Sequence, residues 1–430
     1  MKLTATPGGP MTGEAAIPGD KSCSHRALIF GALSEGETRI SNLLESEDVL
    51  ATARALEAFG VAIGKAGDEW IVRGGPWQSP AGPVDCGNSG TTARLLMGAV
   101  AGMPGVRATF IGDASLSQRP MKRVTVPLSR MGATIEVSDR LPIMVEGARP
   151  CGIEHRNVPP SAQVKSAILI AGLGSAAPVK IIEQIPSRDH SEIMLAQFGC
   201  PVAVDDTPEG WVIALGERRN LSGCGIAIGA DPSSAAFPLL AAAIVPGSDV
   251  VARAMLVNPL RTGIFEVLEA MGAGIELSNE RIRSGEIVAD IQVRHAPLAP
   301  CHVDAAQVPA MIDEIPALAV ACAFADGESV IEGLGELKAK ESDRLGAIVA
   351  GLAACGVSAM ADGDTLRIFG RGDVRGGASV VTSGDHRIAM AFLTLGLAAQ
   401  RPVEVDEAEM IGTSFPAFVE VMNSIGADIG

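Results

Sequence analysis

Two patterns of apolar and polar positions alternate along the chain, six times each. In one, an apolar stripe at helical spacing follows a charged, often basic stretch and closes on an apolar residue plus Gly. Its endings are Phe59-Gly60, Met131-Gly132, Phe198-Gly199, Met271-Gly272, Cys355-Gly356 and Ile425-Gly426, at intervals of about seventy residues. In the other, a polar cluster opens a run that is apolar on every side: Lys21-Ser22, Asn88-Ser89-Gly90, Ser161-Ala162-Gln163, Asp231-Pro232-Ser233, Asp313-Glu314 and Asp385-His386-Arg387. The first pattern predicts amphipathic helices stopped by Gly, which tolerates the left-handed backbone a helix end needs. The second predicts buried helices over 26–33, 95–100, 167–173, 235–244, 315–324 and 388–397, because a helix with no polar face has no side to give to water.

Each repeat reads as strand, helix, strand, helix, strand, strand. In the fourth, 250–256 is a strand, 261–271 a helix with Ile264, Val267, Leu268 and Met271 on one face, and Ile275-Glu276-Leu277 starts a hairpin. Six repeats fit two lobes of three, with helices held among small sheets, unlike a doubly wound α/β sheet. The boundary is expected near Gly229-Ala230-Asp231, and the leading strand 2–6 is expected to return to the far lobe. That gives one lobe of 20–229 and another of 1–19 plus 230–430.

Composition narrows the partners. The chain has 430 residues, 47% of them apolar, and 34 Lys+Arg against 50 Asp+Glu, a formal charge of −16. That balance argues against nucleic acid or an anionic membrane surface as a partner. Small anions remain open, since surface charge is screened beyond about 8 Å at physiological salt and a few converging cations then dominate locally. Eight cysteines without a C-x-x-C pair read as free thiols in a reducing compartment. The stretch Met1 to Thr6 has neither an apolar signal core nor an Arg-rich transit pattern, and the apolar runs are too short for a bilayer. A cytoplasmic protein is expected.

The polar clusters lie at helix starts, where free N–H groups and the positive dipole end favour anions. Many also carry a cation: Lys21 and Arg26, Arg119, Lys165, Arg188, Arg261, Lys340 and Arg344, Arg387. A cation there opposes the dipole by about 0.3–1 kcal/mol when exposed, so the recurrence points to anion binding or to ion pairs with the neighbouring carboxylates. Glu341, Asp343 and Asp313 stand beside these cations as candidate acid–base groups. For Asp343 a surface ion pair with Arg344 competes, and for Asp313 helix capping. His386 reads as a positioning residue. Two motifs fall away: Asp20 intrudes into the P-loop-like stretch before Lys21, and His190-Ser191-Glu192 lacks the P-C-x-x-C of a zinc deaminase. No constellation has metal-ligand spacing.

Taken together, Pro18-Gly19-Asp20-Lys21-Ser22-Cys23-Ser24-His25-Arg26, Gly87-Asn88-Ser89-Gly90-Thr91, Gln118-Arg119-Pro120-Met121, Ser161-Ala162-Gln163-Val164-Lys165, Lys340-Glu341-Ser342-Asp343-Arg344 and Asp385-His386-Arg387 resemble the EPSP synthase family. The Gly-Asp-Lys-Ser and Ser-Ala-Gln-x-Lys forms, with Arg188-Asp189-His190-Ser191-Glu192, resemble its class II branch. The resemblance implies an α/β fold, the inverse α/β barrel: two lobes of three βαβαββ repeats, with the active site in the cleft between them. It implies transfer of the enolpyruvyl group of phosphoenolpyruvate to the 5-hydroxyl of shikimate 3-phosphate, without metal or organic cofactor, by a monomer that glyphosate inhibits.

By the same resemblance, Lys21, Asn88, Gly90, Arg119, Gln163, Arg344, His386 and Arg387 are expected to bind phosphoenolpyruvate. Lys21, Ser22, Arg26, Ser161, Ala162, Gln163, Ser187, Arg188, Asp313 and Lys340 are expected to hold shikimate 3-phosphate. Lys21, Asp313 and Glu341 are the expected catalytic residues, Asp313 taking the hydroxyl proton and Glu341 protonating the methylene carbon. The electrostatics require many cations: at 4 Å and an effective dielectric near 20, each pair of unit charges repels by about 4 kcal/mol. The chain departs from the family pattern at Thr413-Ser414-Phe415-Pro416, where class I members have a Lys, and at Leu260, where class II has Thr. It contains no Tyr. Gly90 matches glyphosate-sensitive members, and Ala the insensitive ones. Two rivals remain. UDP-N-acetylglucosamine enolpyruvyltransferases need a Cys that Gly112 to Arg119 lacks, and a non-catalytic anion-binding protein would need the cations but not the carboxylates. An RNA-cyclase-like enzyme is disfavoured by the acidic charge.

Overall fold

The computed structural model describes residues 1–136 and 138–430, with all of their side chains except that of Ala339. The chain forms two compact units. A central unit comprises Lys21–Ile228 with Arg283–Glu286, and a terminal unit comprises Met1–Asp20, Gly229–Ile282 and Ile287–Gly430.

Among the described residues each unit carries three four-stranded sheets. In the central unit Ile153–Arg156 runs parallel to Val179–Glu183, which pairs antiparallel with Gly210–Leu215, and that strand with Val202–Thr207. The same order recurs in Val84–Asp85, Arg107–Ile111, Ile143–Glu146 and Thr134–Ile135. In the terminal unit it recurs in His302–Val303, Asp326–Ile331, Thr365–Arg371 and Ser358–Asp362. The parallel pair needs a crossover, and in each of these sheets a buried helix supplies it.

The remaining sheets modify the simple repeat. Thr12–Ala15 precedes the helix Lys21–Leu33 in sequence but pairs with Asp249–Leu256. Gly225–Ala227 precedes the helix Pro232–Ile244 but pairs with Gly36–Ser41. The two leading strands are thus exchanged. In the last sheet Leu3–Thr6 is inserted between Val403–Val405 and Asp428–Ile429, filling a hairpin position that the sixth repeat leaves open.

The buried helices form as the apolar runs predict, but most begin earlier, at the polar cluster itself: Lys21–Leu33, Gly90–Ala101, Ala162–Gly172, Pro232–Ile244, Ile315–Phe324 and His386–Ala398. Side-chain caps account for four of these starts. Ser89 accepts from Thr92 N–H, Ser161 from Val164, Asp231 from Ser233 and Asp385 from Arg387, each satisfying an otherwise orphaned donor. The amphipathic helices end as expected, with Phe59, Met131, Phe198, Met271, Cys355 and Ile425 buried. The following glycines have φ of +88° to +110°, where a Cβ would be strained.

One contact sets up the chemistry of the central unit. A Cβ on Gly98 would lie 2.5 Å from the Ala167 carbonyl oxygen, and one on Gly102 2.7 Å from that of Ala171. The helices Gly90–Ala101 and Ala162–Gly172 therefore meet backbone to backbone, and their N-terminal turns are brought side by side. No helix among the described residues is long and apolar enough to cross a membrane.

Candidate functional site

In the central unit the starts of three buried helices gather polar side chains. Asn88 Oδ1 accepts from Arg119 at 2.7 Å, while Asn88 Nδ2 donates to Asp113 at 2.7 Å. Arg94 donates to Gln163 Oε1 at 2.7 Å and to the Pro120 carbonyl at 3.2 Å, and Gln163 Nε2 donates to Thr91 at 2.9 Å. Gly90 is buried between the two guanidinium groups: a Cβ there would stand 2.5 Å from Arg94 Nη1 and 3.5 Å from Arg119 Nη1. Asn88, Gly90, Arg119 and Gln163 thus come together, with Arg94 as a member that the sequence reading missed. Its signal was a lone charge in an apolar helix, four residues from Gly90 and so on the same face.

A second group lies around Arg26, which is buried and donates to Ser191 Oγ at 2.8 Å, Ser166 Oγ at 2.8 Å and the Ser22 carbonyl at 3.0 Å. Ser166 in turn donates to the Ala162 carbonyl at 2.6 Å. Ser161 and Ser187 join through Glu183. Asn157 Nδ2 bonds both the Ser161 carbonyl and Glu183 Oε1, and Ser187 Oγ donates to that same oxygen. Arg188, half-buried, follows directly. Lys21 sits at the first residue of its helix and pairs with Asp48 at 2.8 Å.

Two motif residues turn out to be internal. Lys165 is 2% exposed and lies between Glu192 (2.7 Å) and Glu183 (3.2 Å). Burial works against its charge, but the Glu192 and Glu183 carboxylates outweigh it and hold its pKa above the usual range. Burial pushes Glu192 up. Lys165 is therefore a core ion, the ion-pair alternative of the sequence reading. His190 pairs with Glu286 at 2.6 Å, so His190 and Glu192 turn to different partners.

In the terminal unit the centre is Arg344, fully buried. It donates from Nε to Asp385 at 2.8 Å, from Nη1 to Asp313 at 3.3 Å, and from Nη2 to Glu341. Burial disfavours its charge, yet Asp385, Glu341 and Asp313 together raise its pKa and keep it a cation. Lys340 adds a second cation on Asp313 at 3.3 Å. Arg387 donates to the Asp313 carbonyl at 3.0 Å and to Glu314 at 3.3 Å. Asp313, Lys340, Glu341, Arg344 and Arg387 therefore form one bonded cluster. His386 stands beside it, with Nδ1 at 3.4 Å from Thr413 Oγ1.

Three expectations are corrected here. Asp343 is not the ion-pair partner of Arg344: it caps the helix Arg344–Ala354, accepting from Gly346 N–H, while Arg344 turns inward to stronger partners. Asp313 is not a helix cap either, since Glu314 occupies the cap position of Ile315–Phe324 without a capping bond and the Asp313 carboxylate faces cations instead. Arg261 is not at a mouth: it is 2% exposed and bonds Asp20 at 2.9 Å, Asp231 at 3.0 Å and Ser233 at 2.9 Å.

The chain is similar to known proteins over nearly its whole length. The sequence profile described as EPSP synthase (3-phosphoshikimate 1-carboxyvinyltransferase) matches residues 5–422. A 3-phosphoshikimate 1-carboxyvinyltransferase of Paracoccus denitrificans is 48% identical over 436 aligned positions, covering 100% of this chain and 98% of the relative. One from Parvibaculum lavamentivorans is 50% identical, covering 99% and 96%. A solved structure of an EPSP synthase from Acinetobacter baumannii superposes with a TM-score of 0.86 at 39% identity, covering 100% of this chain and 99% of the other.

Proposed function

The chain belongs to the EPSP synthase family and moves the enolpyruvyl group of phosphoenolpyruvate to the 5-hydroxyl of shikimate 3-phosphate, releasing phosphate; we propose that the two polar half-sites described above do so together. In this reading Lys21, Asn88, Gly90, Arg119 and Gln163 of the central unit, with Arg344, His386 and Arg387 of the terminal unit, bind phosphoenolpyruvate. Lys21, Ser22, Arg26, Ser161, Ala162, Gln163, Ser187 and Arg188, with Asp313 and Lys340, hold shikimate 3-phosphate.

One observation carries the assignment of roles: Asp313, Glu341 and Lys340, each half-buried, are linked by ion pairs around the buried Arg344. Two cations on Asp313 favour its ionised form, as a base for the 5-hydroxyl requires. Glu341 shares Arg344 with it. When Arg344 exchanges Glu341 for the carboxylate of phosphoenolpyruvate, Glu341 loses its cation and gains an anionic neighbour. Both changes raise its proton affinity, which suits protonation of the methylene carbon. The hydroxyl oxygen then bonds C2, and Lys21 steadies the charge that develops. Glu341, ionised by its first transfer, takes a proton back from the new methyl group, and the released electron pair restores the double bond as phosphate leaves.

Phosphate release with both substrates tests the roles. Glu341→Gln and Asp313→Ala are each expected to lower kcat on the order of 10²–10⁴-fold. Wild-type turnover in both variants would refute the assignment while leaving the family untouched. The reading extends to a cytoplasmic monomer inhibited by glyphosate. Eight free cysteines support a reducing compartment, and the guanidinium groups flanking Gly90 supply charges for an anionic inhibitor.

A further inference from the structure

Behind the serines of the central unit lies a carboxylate that no assigned role uses. Glu183 ends the strand Val179–Glu183 and is 0% exposed. Its Oε1 accepts from Asn157 Nδ2 and from Ser187 Oγ, both at 2.6 Å. Its Oε2 accepts from Ser187 N–H at 2.9 Å and Lys165 Nζ at 3.2 Å. Four donors surround two oxygens, and two of the four reach onward. Asn157 Nδ2 also holds the Ser161 carbonyl at 3.0 Å, and Lys165 also holds the Ser187 carbonyl at 3.0 Å.

This side chain therefore ties together two separate backbone segments, the cap of the helix Ala162–Gly172 and the loop leading to the helix His190–Gln197. Those segments carry Ser161, Ala162, Gln163, Ser187 and Arg188. Electrostatic attraction is not its contribution, since a carboxylate side chain offers an anion nothing to bind. Its contribution is geometry.

We propose that Glu183 is a positioning residue for shikimate 3-phosphate, fixing the Ser161 and Ser187–Arg188 segments at the spacing the substrate needs; this rests on the reading of those residues as its contacts. The chemistry of the site makes Glu183→Gln a selective probe. An amide NH2 has to replace one carboxylate oxygen. At Oε2 it would face an ammonium and a backbone N–H, neither of which can accept. It therefore takes the Oε1 place, where Ser187 Oγ can rotate to accept but Asn157 must turn its carbonyl inward. Asn157 then loses its bond to the Ser161 carbonyl.

Glu183→Gln is expected to weaken shikimate 3-phosphate binding about fivefold, as loss of one buried hydrogen bond between uncharged groups implies. The KM for phosphoenolpyruvate at saturating shikimate 3-phosphate should stay within about twofold. Titration calorimetry with shikimate 3-phosphate, steady-state kinetics and thermal melting read these out beside Ser161→Ala and Arg188→Ala. Weakening in all three variants with the split between substrates supports the proposal. Weakening in Ser161→Ala and Arg188→Ala but not in Glu183→Gln overturns it and leaves the reading of the site intact. No change in Ser161→Ala and Arg188→Ala overturns that reading. An equal rise of both KM values in Glu183→Gln overturns the positioning role in favour of general destabilisation. Should Glu183→Gln fail to fold, Asn157→Ala severs only the Ser161 branch: the same selective loss supports the proposal, and unchanged affinity overturns it.

Discussion

Replacing Gly90 by Ala places one methyl group between two arginines, and the outcome can be worked from distances. The new Cβ would stand 2.5 Å from Arg94 Nη1, whereas carbon and nitrogen rest comfortably at about 3.5 Å. The guanidinium must retreat by about 1 Å, which carries its 2.7 Å bond to Gln163 past the distance at which a hydrogen bond survives. A bond to a charged donor contributes about 1.5–3 kcal/mol. Arg94 keeps its partner at the Pro120 carbonyl, so the lower end applies, about tenfold in affinity. The fold should hardly notice. The displaced atom is the tip of a flexible side chain, and Ala is a better helix former than Gly by about 0.5–1 kcal/mol. The assay is phosphate release with varied phosphoenolpyruvate and glyphosate, alongside a thermal melt. KM for phosphoenolpyruvate should rise about tenfold, the inhibition constant of glyphosate by more, because the longer molecule fills more of the pocket, and Tm should change little. Unchanged constants for both ligands would refute the placement of Gly90 in the donor pocket. A rise confined to shikimate 3-phosphate would show that Gly90 belongs to the other subsite.

Two further consequences concern the terminal unit. Asp290 is held down at about 2: burial alone would raise it, but hydrogen bonds from Ala254 N–H, Asn279 and Arg253 outweigh that. A depressed carboxylate stabilises the fold above its unfolded value near 4 and loses that contribution as pH falls toward 2, so Asp290→Asn should cost on the order of 2 kcal/mol at pH 7 and progressively less from pH 4 downward in urea titrations. Asp385 both caps the helix His386–Ala398 and pairs with Arg344. Asn keeps a cap, so Asp385→Asn should cost about 2 kcal/mol from the charge alone, and Asp385→Ala about 1 kcal/mol more. Equal losses in the two variants would show that the cap contributes nothing.

Much of the architecture is local and was therefore legible in the chain. Whether a helix is buried or amphipathic depends on residues three and four apart, and where it stops depends on one glycine. Gly60, Gly132, Gly199, Gly272, Gly356 and Gly426 all adopt the left-handed backbone their spacing predicts. Ser89, Ser161 and Asp385 cap the helices they precede, which explains why the polar clusters mark helix starts. The clusters Asn88–Gly90–Arg119 and Asp313–Lys340–Glu341–Arg344 could be proposed because a resemblance supplied their grouping, not because spacing did.

What the chain order could not reveal is which distant partner each charge meets. Arg261 looked like a ligand at a helix mouth, yet it bonds Asp20, 241 positions away. Lys165 looked the same and is neutralised by Glu183 and Glu192. The exchange of Thr12–Ala15 and Gly225–Ala227 between sheets leaves every local pattern intact, so periodicity is blind to it. Periodicity and capping arise within one or two turns of chain, and sequence alone determines them. The partner of a buried ion is decided by whichever carboxylate the fold carries into reach, because a charge removed from water must be matched wherever packing puts it. Tertiary structure alone shows which of these cations are spent on holding the fold.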